Sequence, residues 1–449
     1  MSASTPEARH AQSTENRRVV ITGLGAITPS GNDVDSLWKS VVNGHSAIDV
    51  LEGEQFADLA VRIGGQVKDF DAEAVLPRAL ARRLSPVQHW AIAAADQALA
   101  QAGIERPDAG TARSGAAAGA QTDEADELPW DRSRVAVIAA TGSGPVDSMQ
   151  NATRSLLDDG PRSVPLTLAI HGAPDSAAAL LSQRFDFRGP GQGVSATCAS
   201  GAIGLGEGMR RIRHGYADAV LVVGMEDCLN PVNLASNANM RALAAGFEDD
   251  PTHASRPFDK DRNGFVMSQG AAAILLESED SAAARGARVL AELAGFGAAS
   301  DAHHPTNPHP EGRGAASAVT QALADARLTA GDIDHINAHA TGTPAGDAAE
   351  LKAFESALGE TRHSIPISAT KSSTGHLLGA SGVVEAIIAI RTMAEQRLPP
   401  TLNLGDPEFD GWDIVAGQAR TSGDSINTVL STSFGFGGHN GAIILRRPH

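Results

Sequence analysis

The sequence predicts an α/β fold. Short apolar segments typical of buried strands alternate along the chain with periodic segments typical of helices, which is the pattern of α/β proteins. The first strand begins at Arg18, where RVVITGLG runs into a glycine turn, and further strands are predicted at 134–139, 219–224, 271–276, 289–293, 333–337, 428–431 and 442–445. At 449 residues, of which 42% are hydrophobic, the chain is long and apolar enough for a sizeable core.

Two helices have clear boundary signals. Asn32 or Asp33 can cap the first, which presents one apolar face and ends at Gly44. Ser85 can cap the second, which has a proline at its first position and runs to Gly103. The stretch at 105–131 is rich in glycine, alanine and acidic residues and predicts an irregular surface insertion.

Three pairs of similar segments point to an internal duplication. In chain order they are RVVITGLG at Arg18 with RVLAELAGFG at Arg288, AATGSGP ending at Pro145 with HATGTP ending at Pro344, and ADAVLVVG near Val220 with INTVLSTSFG near Val429. A strand followed by glycine is common, so each pair alone is compatible with chance. Three pairs in the same order predict a repeated βα unit and a pseudo-two-fold molecule.

Composition and charge argue against several classes of protein. The 36 Lys and Arg residues against 53 Asp and Glu residues give a formal net charge of −17, which disfavours a general nucleic-acid or anionic-membrane surface. Two cysteines are too few for a disulfide framework. No apolar run approaches the roughly 20 residues of a membrane span, and residues 1–16 lack the apolar core of a signal peptide. We therefore expect a cytoplasmic protein with no nucleic-acid or membrane partner.

Cys198 is the candidate nucleophile. In GVSATCASGAIGLGEGMRRIRHG a turn of small residues leads into a helical pattern, so the thiol is expected at a helix N-terminus. The helix dipole and free N–H groups there favour the thiolate and lower its pKa, and the same N–H groups can hold an oxyanion. A buried structural cysteine is the alternative for Cys198, and it is the expectation for Cys228 in GMEDCLN.

Two histidines are candidate partners for this cysteine. His339 lies in INAHATGTPAGD, and His376 lies in SATKSSTGHLLGASG with Lys371 upstream; both are predicted in loops at the ends of apolar segments. A lone histidine in such a loop is more often a hydrogen-bonded core residue. Two of them together with a nucleophile-like cysteine favour an active site. The glycine-rich SFGFGGHNG, which contains Phe434 and Phe436, predicts either an oxyanion or gating loop or a tight turn between strands.

Other motifs are incomplete. GLGAIT and GFGGHN do not complete a dinucleotide-binding fingerprint, and the sequence contains no P-loop. Cys198, His339 and His376 lack the local ligand pairing of a zinc site, and the histidines of DAHHPTNPHPEG are expected in a solvated loop, so no metal site is predicted.

The segments ATCASG, RPFDKDRNGFV, NAHATGTPAGD, TKSSTGH and SFGFGGHNG, in this order, resemble the β-ketoacyl-acyl-carrier-protein synthases. Among these the chain is most similar to the type II elongating enzymes, and its FGGHN ending to actinobacterial members. The resemblance runs from about Arg18 to Leu445 and implies the thiolase fold, in which two duplicated βα halves form five layers, αβαβα. It divides the chain into a disordered tail at 1–17, an N-terminal half at 18–280 with the nucleophilic cysteine, and a C-terminal half at 281–449 with the catalytic histidines.

The resemblance also implies an acyltransferase of fatty-acid biosynthesis that condenses malonyl-acyl-carrier protein with an acyl chain and lengthens it by two carbons. The implied catalytic residues are Cys198 as nucleophile, His339 and His376 for decarboxylation, Lys371 and Glu385 for support, and Phe436 for the oxyanion hole and gate. The implied substrate-binding positions are Thr341, Thr343 and Thr306 along the pantetheine arm, Phe434, and Pro145 at the acyl pocket. The implied carrier-protein docking residues are Arg82, Arg83 and Arg241. The enzyme would be a homodimer without a cofactor of its own, since the carrier protein brings the phosphopantetheine.

Several positions depart from the family pattern. Ala340 follows the first catalytic histidine where glycine is usual, Gln269 and Asn263 replace common acids, and the 105–131 stretch is longer than typical. Acyl chain length, primer choice and inhibitor response therefore stay open, as does a specialised ketosynthase of a polyketide or inhibitor-resistance locus.

Two further alternatives have sequence discriminators. A non-elongating partner subunit would lack the cysteine that is present at position 198. A thiolase using coenzyme A would need a second catalytic cysteine near the C-terminus, where Gly437 and Gly438 stand.

Overall fold

The structure, a computed structural model, describes residues 17–104 and 128–448. Of the predicted tail at 1–17 only Arg17 is described, and of the predicted insertion at 105–131 only 128–131. The strands are β1 (Val19–Ile27), β2 (Asp49–Val50), β3 (Ile63–Gly64), β4 (Val135–Ala140), β5 (Gly191–Val194), β6 (Ala219–Asp227), β7 (Gln269–Ser278), β8 (Ala291–Ser300), β9 (His335–Asn337), β10 (Ile367–Ser368), β11 (Arg397–Leu398), β12 (Arg420–Thr421), β13 (Thr428–Gly435) and β14 (His439–Arg446).

The helices follow the strands in alternation, as predicted for an α/β protein. They are α1 (Val34–Val42), α2 (Ala72–Val75), α3 (Arg78–Ala81), α4 (Pro86–Gln101), α5 (Val146–Asp159), α6 (Leu168–His171), α7 (Ser176–Phe185), α8 (Ser200–Arg213), α9 (Pro231–Asn239), α10 (Glu279–Ala284), α11 (Arg313–Ala326), α12 (Pro344–Leu358), α13 (Lys371–Thr374) and α14 (Ser381–Glu395). None of those in the described ranges combines the length and apolar character that crossing a bilayer requires.

Ten strands form one mixed sheet in the order β10-β9-β13-β14-β8-β1-β7-β6-β4-β5. At its centre β1 and β8 pair antiparallel over two residue pairs, Val20 with Glu292 and Ile21 with Ala291. This junction separates two halves of five strands. If the five strands of each half are numbered in chain order, their order in the sheet, outward from the junction, is first, fifth, fourth, second and third in both halves. In both halves the first two pairings are antiparallel and the next two are parallel. The identical topology confirms the predicted duplication.

The three pairs of similar segments fall on equivalent strands of the two halves. The first pair contains β1 and β8, the second ends in the turns after β4 and β9, and the third contains β6 and β13. All three pairs thus occupy corresponding strands, or the turns that follow them, in the two halves.

Five layers result from how the helices cover the sheet. Helices α8 and α14 pack on each other between the two half-sheets, in an inner core that includes Leu205 and Ile387. Helices α4 and α7 cover the outer face of the N-terminal half around Leu181, and α11 and α12 cover that of the C-terminal half around Val319 and Phe354. The predicted αβαβα arrangement is confirmed.

Strands buried on both faces explain the continuous apolar runs of the sequence. Along β6, Val220 and Val222 face the inner core, whereas Leu221 and Val223 face the outer core of the N-terminal half. Successive side chains of a strand point to opposite faces, so a strand between two helical layers needs apolar residues at every position.

The two predicted helix starts are confirmed. At α1 the Asp33 carboxylate accepts the Ser36 N–H at 2.8 Å, whereas the Asn32 amide donates elsewhere, to the Lys68 carbonyl. At α4 the Ser85 N–H donates to the Gln88 side chain at 3.0 Å, as in a capping box. Strands β5 and β10 were not predicted, because one is the glycine-rich GQGV and the other is two residues long.

Candidate active site

Cys198 lies on a single 3₁₀ turn, Thr197–Ala199, that leads directly into α8, as the sequence predicts. The turn is sharp because Thr197 has a φ of 50°, in the left-handed region that disfavours a β-branched residue. The Thr197 hydroxyl offsets this strain by donating to the Phe436 carbonyl at 2.9 Å. Gly435 permits that approach, since a Cβ there would lie 2.2 Å from the Thr197 oxygen.

The thiol of Cys198 is almost completely buried, at 6% exposure. Burial raises its pKa to about 12, and the charge of Glu226 acts in the same direction. The Lys371 ammonium and the Phe436 N–H oppose this rise. The predicted lowering of the pKa is therefore wrong in its net direction, because desolvation of the thiolate outweighs the N–H groups and the positive charge. Cys198 rests as a thiol.

His339 and His376 come together beside this cysteine. His339 follows β9, His376 follows α13, and their ring centroids are 5.3 Å apart with the planes nearly perpendicular. Nδ1 of His376 is hydrogen-bonded to the Ser381 hydroxyl at 3.0 Å. Among the described residues Nε2 of His376 and Nδ1 of His339 have no hydrogen-bond partner. Burial lowers the pKa of both histidines well below the usual value, and Lys371 adds to the effect, so both are neutral.

Lys371 lies behind the histidines rather than in the cavity. It is 1% exposed, and its ammonium donates to the His339 carbonyl at 2.7 Å and to the Glu385 carboxylate of α14. Burial raises the pKa of Glu385 to about 7, and Lys371 opposes that rise. The pair thus fixes the backbone of His339 and places one positive charge beneath the site.

Glu350 is a site residue that the sequence analysis missed. From α12 its carboxylate accepts the N–H groups of His339 and Ala340 at 2.8 and 2.7 Å and the Thr432 hydroxyl at 2.7 Å. Ala340 has a φ of 26°, which explains why this position favours glycine. The only signal in the sequence was an acidic residue in the helix directly after the histidine loop.

The RPFDKDRNGFV segment supports the same loop. Asp347 of α12 accepts the Phe258 and Gly342 N–H groups at 2.9 and 3.1 Å and lies 3.3 Å from the Arg262 guanidinium. Arg262 also donates to the Pro344 carbonyl at 3.1 Å. This motif is therefore a scaffold for the turn that follows His339.

The aromatic residues flank the histidines. Phe434 lies 5.9 Å from His339 between ring centroids, and Phe265 lies 5.4 Å from His376 and 6.3 Å from Phe436. SFGFGGHNG spans the end of β13, a turn and the start of β14. The segment is thus a tight turn between strands, as one interpretation predicted, and its Phe434 and Phe436 line the site, whereas the oxyanion or gating role stays a prediction.

A cavity of about 330 Å³ joins these groups. The predicted site residues that line it are Cys198, His339, His376, Thr306, Thr341, Thr343, Phe434, Phe436 and Arg241. Pro145, at the start of α5, and the exposed Arg82 and Arg83, after α3, lie outside its lining. A larger cavity of about 870 Å³ on the outer face of the N-terminal half contains none of the predicted site residues.

No group of three or more His, Cys, Asp or Glu side chains is arranged to hold a metal ion within 17–104 and 128–448. His303 and His309 stack edge to face at 5.0 Å, and Nδ1 of His304 accepts the Thr306 N–H at 3.1 Å. These loop histidines therefore order the segment that carries Thr306.

Comparison with known proteins gives consistent matches. Residues 16–282 match the N-terminal domain of β-ketoacyl synthases, and residues 290–405 match the C-terminal domain. The 3-oxoacyl-[acyl-carrier-protein] synthase 2 of Synechocystis is 39% identical over 436 residues, covering 96% of this chain and 99% of that protein. The enzyme of the same name from Vibrio cholerae is 39% identical with the same coverage.

Two solved structures are similar over nearly the whole chain. One is a β-ketoacyl synthase from Burkholderia phymatum, with 32% identity and a TM-score of 0.83 over 97% of this chain and all of that one. The other is a type II polyketide ketosynthase bound to a hexaketide and in complex with its acyl-carrier protein, with 28% identity, a TM-score of 0.83 and the same coverage.

Proposed function

Because the chain belongs to the β-ketoacyl synthase family, we propose that it is an elongating β-ketoacyl-acyl-carrier-protein synthase of fatty-acid biosynthesis. It would condense malonyl-acyl-carrier protein with an acyl chain held on Cys198. The observation that carries the proposal is the convergence of one buried thiol and two neutral imidazoles on one cavity. The partner-subunit alternative is disfavoured because the thiol is present and faces this cavity.

The first step is acyl transfer to Cys198. The sulfur attacks the thioester carbonyl as the thiol loses its proton, and the carrier thiol leaves and takes up a proton. The Phe436 N–H lowers the pKa of the Cys198 thiol, and the N–H groups of Cys198 and Phe436 would stabilise the tetrahedral oxyanion. Because Cys198 rests as a thiol, acylation would deliver an uncharged thioester to the buried site.

The second step is decarboxylation of the malonyl group. Its thioester carbonyl would accept hydrogen bonds from His339 and His376, and the electrons of the broken carbon–carbon bond would form an enolate as CO₂ leaves. In the tautomer whose Nδ1 accepts from the Ser381 hydroxyl, the free Nε2 of His376 would carry the proton needed for such a bond. The enolate carbon then attacks the acyl carbonyl on Cys198, and the released thiolate is reprotonated.

The Lys371–Glu385 pair would act through His339. The Lys371 ammonium holds the His339 carbonyl, and its charge adds to the burial that keeps the imidazoles neutral. Neutral imidazoles suit this role because each can donate a hydrogen bond to the developing enolate while it keeps its own proton.

An acyl carrier protein is the proposed substrate carrier. The related ketosynthase whose structure includes an acyl-carrier protein supports this partner. Thr306, Thr341 and Thr343 line the cavity and would contact the pantetheine arm, with Arg241 at the same cavity. Exposed Arg82 and Arg83 would contribute to docking the acidic carrier.

A homodimer is proposed from an apolar surface of the N-terminal half. The large exposed apolar side chains of α5, α6 and their connection are Met149, Leu156, Leu157, Leu166 and Ile170. In the same half, β5 is an edge strand of the sheet, with backbone groups open to a further strand. A patch of this kind marks a protein interface. Light scattering on the purified chain tests this, and a monomeric mass would contradict it.

The function is tested by offering saturated acyl-carrier proteins of several lengths with malonyl-carrier protein and resolving the products by mass. We expect β-ketoacyl products two carbons longer than the primer, none with Cys198→Ala, and parental yield with the matched control Cys228→Ala. If a polyketide starter were used and all fatty-acyl primers refused, the enzyme would be a specialised ketosynthase instead.

A further inference from the structure

One buried carboxylate near the site takes no part in acyl transfer or decarboxylation. Glu226 is the penultimate residue of β6, is fully buried, and its charge is felt at Cys198. An isolated buried carboxylate is costly to desolvate, so it persists only when hydrogen bonds stabilise it. Its partners therefore indicate its role.

The Glu226 carboxylate joins the two halves of the molecule. One oxygen accepts the Gly142 N–H at 2.5 Å and the Gly379 N–H at 3.0 Å. The other accepts the Ser143 N–H at 3.0 Å and the Thr141 hydroxyl at 3.1 Å. Residues 141–143 follow β4 of the N-terminal half, whereas Gly379 belongs to the loop between His376 and α14 in the C-terminal half.

The turn held by Glu226 is hydrogen-bonded to residues on either side of the nucleophile. The Ser200 hydroxyl lies 3.2 Å from the Thr141 carbonyl and 2.7 Å from the Thr197 carbonyl, and the Ser195 hydroxyl donates to the Gly142 carbonyl at 3.2 Å. A displacement of Thr141 and Gly142 would thus be transmitted to the turn that carries Cys198.

The glycines show how closely these parts fit. A Cβ on Gly379 would lie 2.5 Å from the Gly142 nitrogen and 2.7 Å from the Glu226 carboxylate, and a Cβ on Gly142 would lie 2.9 Å from the same carboxylate. The equivalent turn of the C-terminal half, after β9, is also held by a buried carboxylate, since Glu350 accepts the His339 and Ala340 N–H groups. Each half therefore uses one buried glutamate to fix the turn next to its reactive residue.

We propose that Glu226 is a positioning residue for condensation, which holds the turn next to Cys198 and the loop behind His376 in one fixed arrangement. This rests on the proposed function, because it assigns Cys198 and His376 to successive steps of one reaction. Carbon–carbon bond formation is the step that requires the acyl-cysteine and the enolate at the correct distance at the same time. A displacement near 1 Å can lower the rate about 100-fold.

The first test is Glu226→Gln, with Glu207→Gln on the surface of α8 as the matched control. The amide nitrogen of the glutamine would face N–H donors and could not accept their hydrogen bonds, so the turn and the loop would shift. We therefore expect kcat with small pantetheine thioesters to fall about 10–100-fold with little change in KM. Alkylation of Cys198 at mildly alkaline pH should instead become faster, because the carboxylate charge no longer disfavours the thiolate. Glu207→Gln should match the parent in both measurements.

The second test separates geometry from charge. Gly379→Ala keeps the carboxylate but displaces its partners, so kcat should fall without faster alkylation. Gly423→Ala is the control, since a Cβ there meets nothing within 4 Å.

Three results would overturn the assignment. The first is a folded Glu226→Gln variant with the parental kcat and alkylation rate. The second is equally faster alkylation in Glu226→Gln and Gly379→Ala, which would mean that the site had merely opened. The third is a parental kcat in Gly379→Ala, which decides the matter if Glu226→Gln does not fold. Failure of the parent to condense would refute the proposed function instead, and the alkylation comparison would still test Glu226.

Discussion

Single residues of the site owe their properties to burial more than to their neighbours in sequence. Burial keeps Cys198 a thiol and both histidines neutral, so the resting cavity holds no charged side chain among these three. Charge would then appear only during reaction, as thiolate, oxyanion and enolate, where fixed N–H donors stabilise it most. The ammonium of Lys371, the one buried lysine among the described residues, accordingly lies behind the site.

Removing either histidine should impair decarboxylation more than acylation. We expect His339→Ala and His376→Ala each to lower CO₂ release from malonyl-carrier protein by on the order of 10²–10³, the usual effect of losing one oxyanion donor. Acyl transfer to Cys198 should stay measurable, because it uses backbone N–H groups. Exposed His253 provides the control variant His253→Ala. Release of CO₂ at the parental rate by both variants would show that they do not stabilise the enolate.

The residues that sequence reasoning found and missed differ in a physical way. Cys198, His339 and His376 lie in turns rich in glycine and other small residues, so the motifs themselves mark them. Glu226 and Glu350 act through backbone N–H groups that are distant in sequence, and such partners become visible only in the folded chain. The direction of the Cys198 pKa shift was also predicted wrongly, because burial of the thiol depends on the folded chain and cannot be seen in the local sequence.

Elements pack closely because small residues stand where they cross. At the crossing of α8 and α14, a Cβ on Gly382 would lie 2.5 Å from the Ala202 nitrogen and 3.1 Å from the Gly201 backbone. This contact joins the helix that follows Cys198 to the helix that carries Glu385. The long strands and capped helices were predictable from local pattern, whereas β5 and β10 form only because neighbouring strands supply hydrogen bonds.

Gly382→Ala should destabilise the protein. The added methyl group overpacks the helix crossing, which typically costs about 1–3 kcal/mol in the free energy of unfolding. Gly423→Ala, whose methyl group would have open space, should leave that free energy nearly unchanged. Urea denaturation of the two variants measures the difference, and equal midpoints would mean that the central helices separate at little cost.

Strand β9 contains a histidine whose burial makes stability depend on pH. His335 donates toward the Ser368 hydroxyl at 2.9 Å, and burial lowers its pKa to about 3. Between pH 6.5 and about 3 the unfolded chain binds a proton that the folded chain does not, so stability falls as the pH decreases through this window, at up to about 1.4 kcal/mol per unit.

His335→Gln should flatten part of this dependence while keeping a donor for Ser368. Urea midpoints measured across the window should fall less steeply with decreasing pH than in the parent. His45→Gln is the matched control, because it removes an exposed histidine instead of a buried one. A parental slope in His335→Gln would show that His335 does not resist protonation in the folded state.

The molecule as a whole is an acidic, duplicated fold whose site lies where the two halves meet. Its duplication was predictable, because strand-to-turn junctions keep similar sequences in both halves, but the alignment of the halves was not, because it depends on the short β1–β8 junction and on contacts such as those of Glu226. At a net charge of −17 the long-range field should repel an acidic carrier. Docking would therefore depend on a local basic patch.

Reversing Arg82 and Arg83 to Glu should raise the apparent Michaelis constant for carrier-bound substrate, most strongly at low salt. Turnover of a small pantetheine thioester should stay near the parental value, because the cavity residues are unchanged. Steady-state kinetics with the two substrate forms decides the matter. Equal losses on both would mean damage to the fold, and no loss on either would place the docking surface elsewhere.

In the proposed reaction Cys198 holds the growing chain while the histidines generate the nucleophile that extends it. The most direct measurement is mass spectrometry of the protein after exposure to an acyl-carrier protein, before and after addition of malonyl-carrier protein. We predict one acyl adduct, mapped to the peptide containing Cys198, which disappears on addition as a product two carbons longer forms. An adduct on Cys228, or an adduct on Cys198 that malonyl-carrier protein does not discharge, would contradict the proposed reaction.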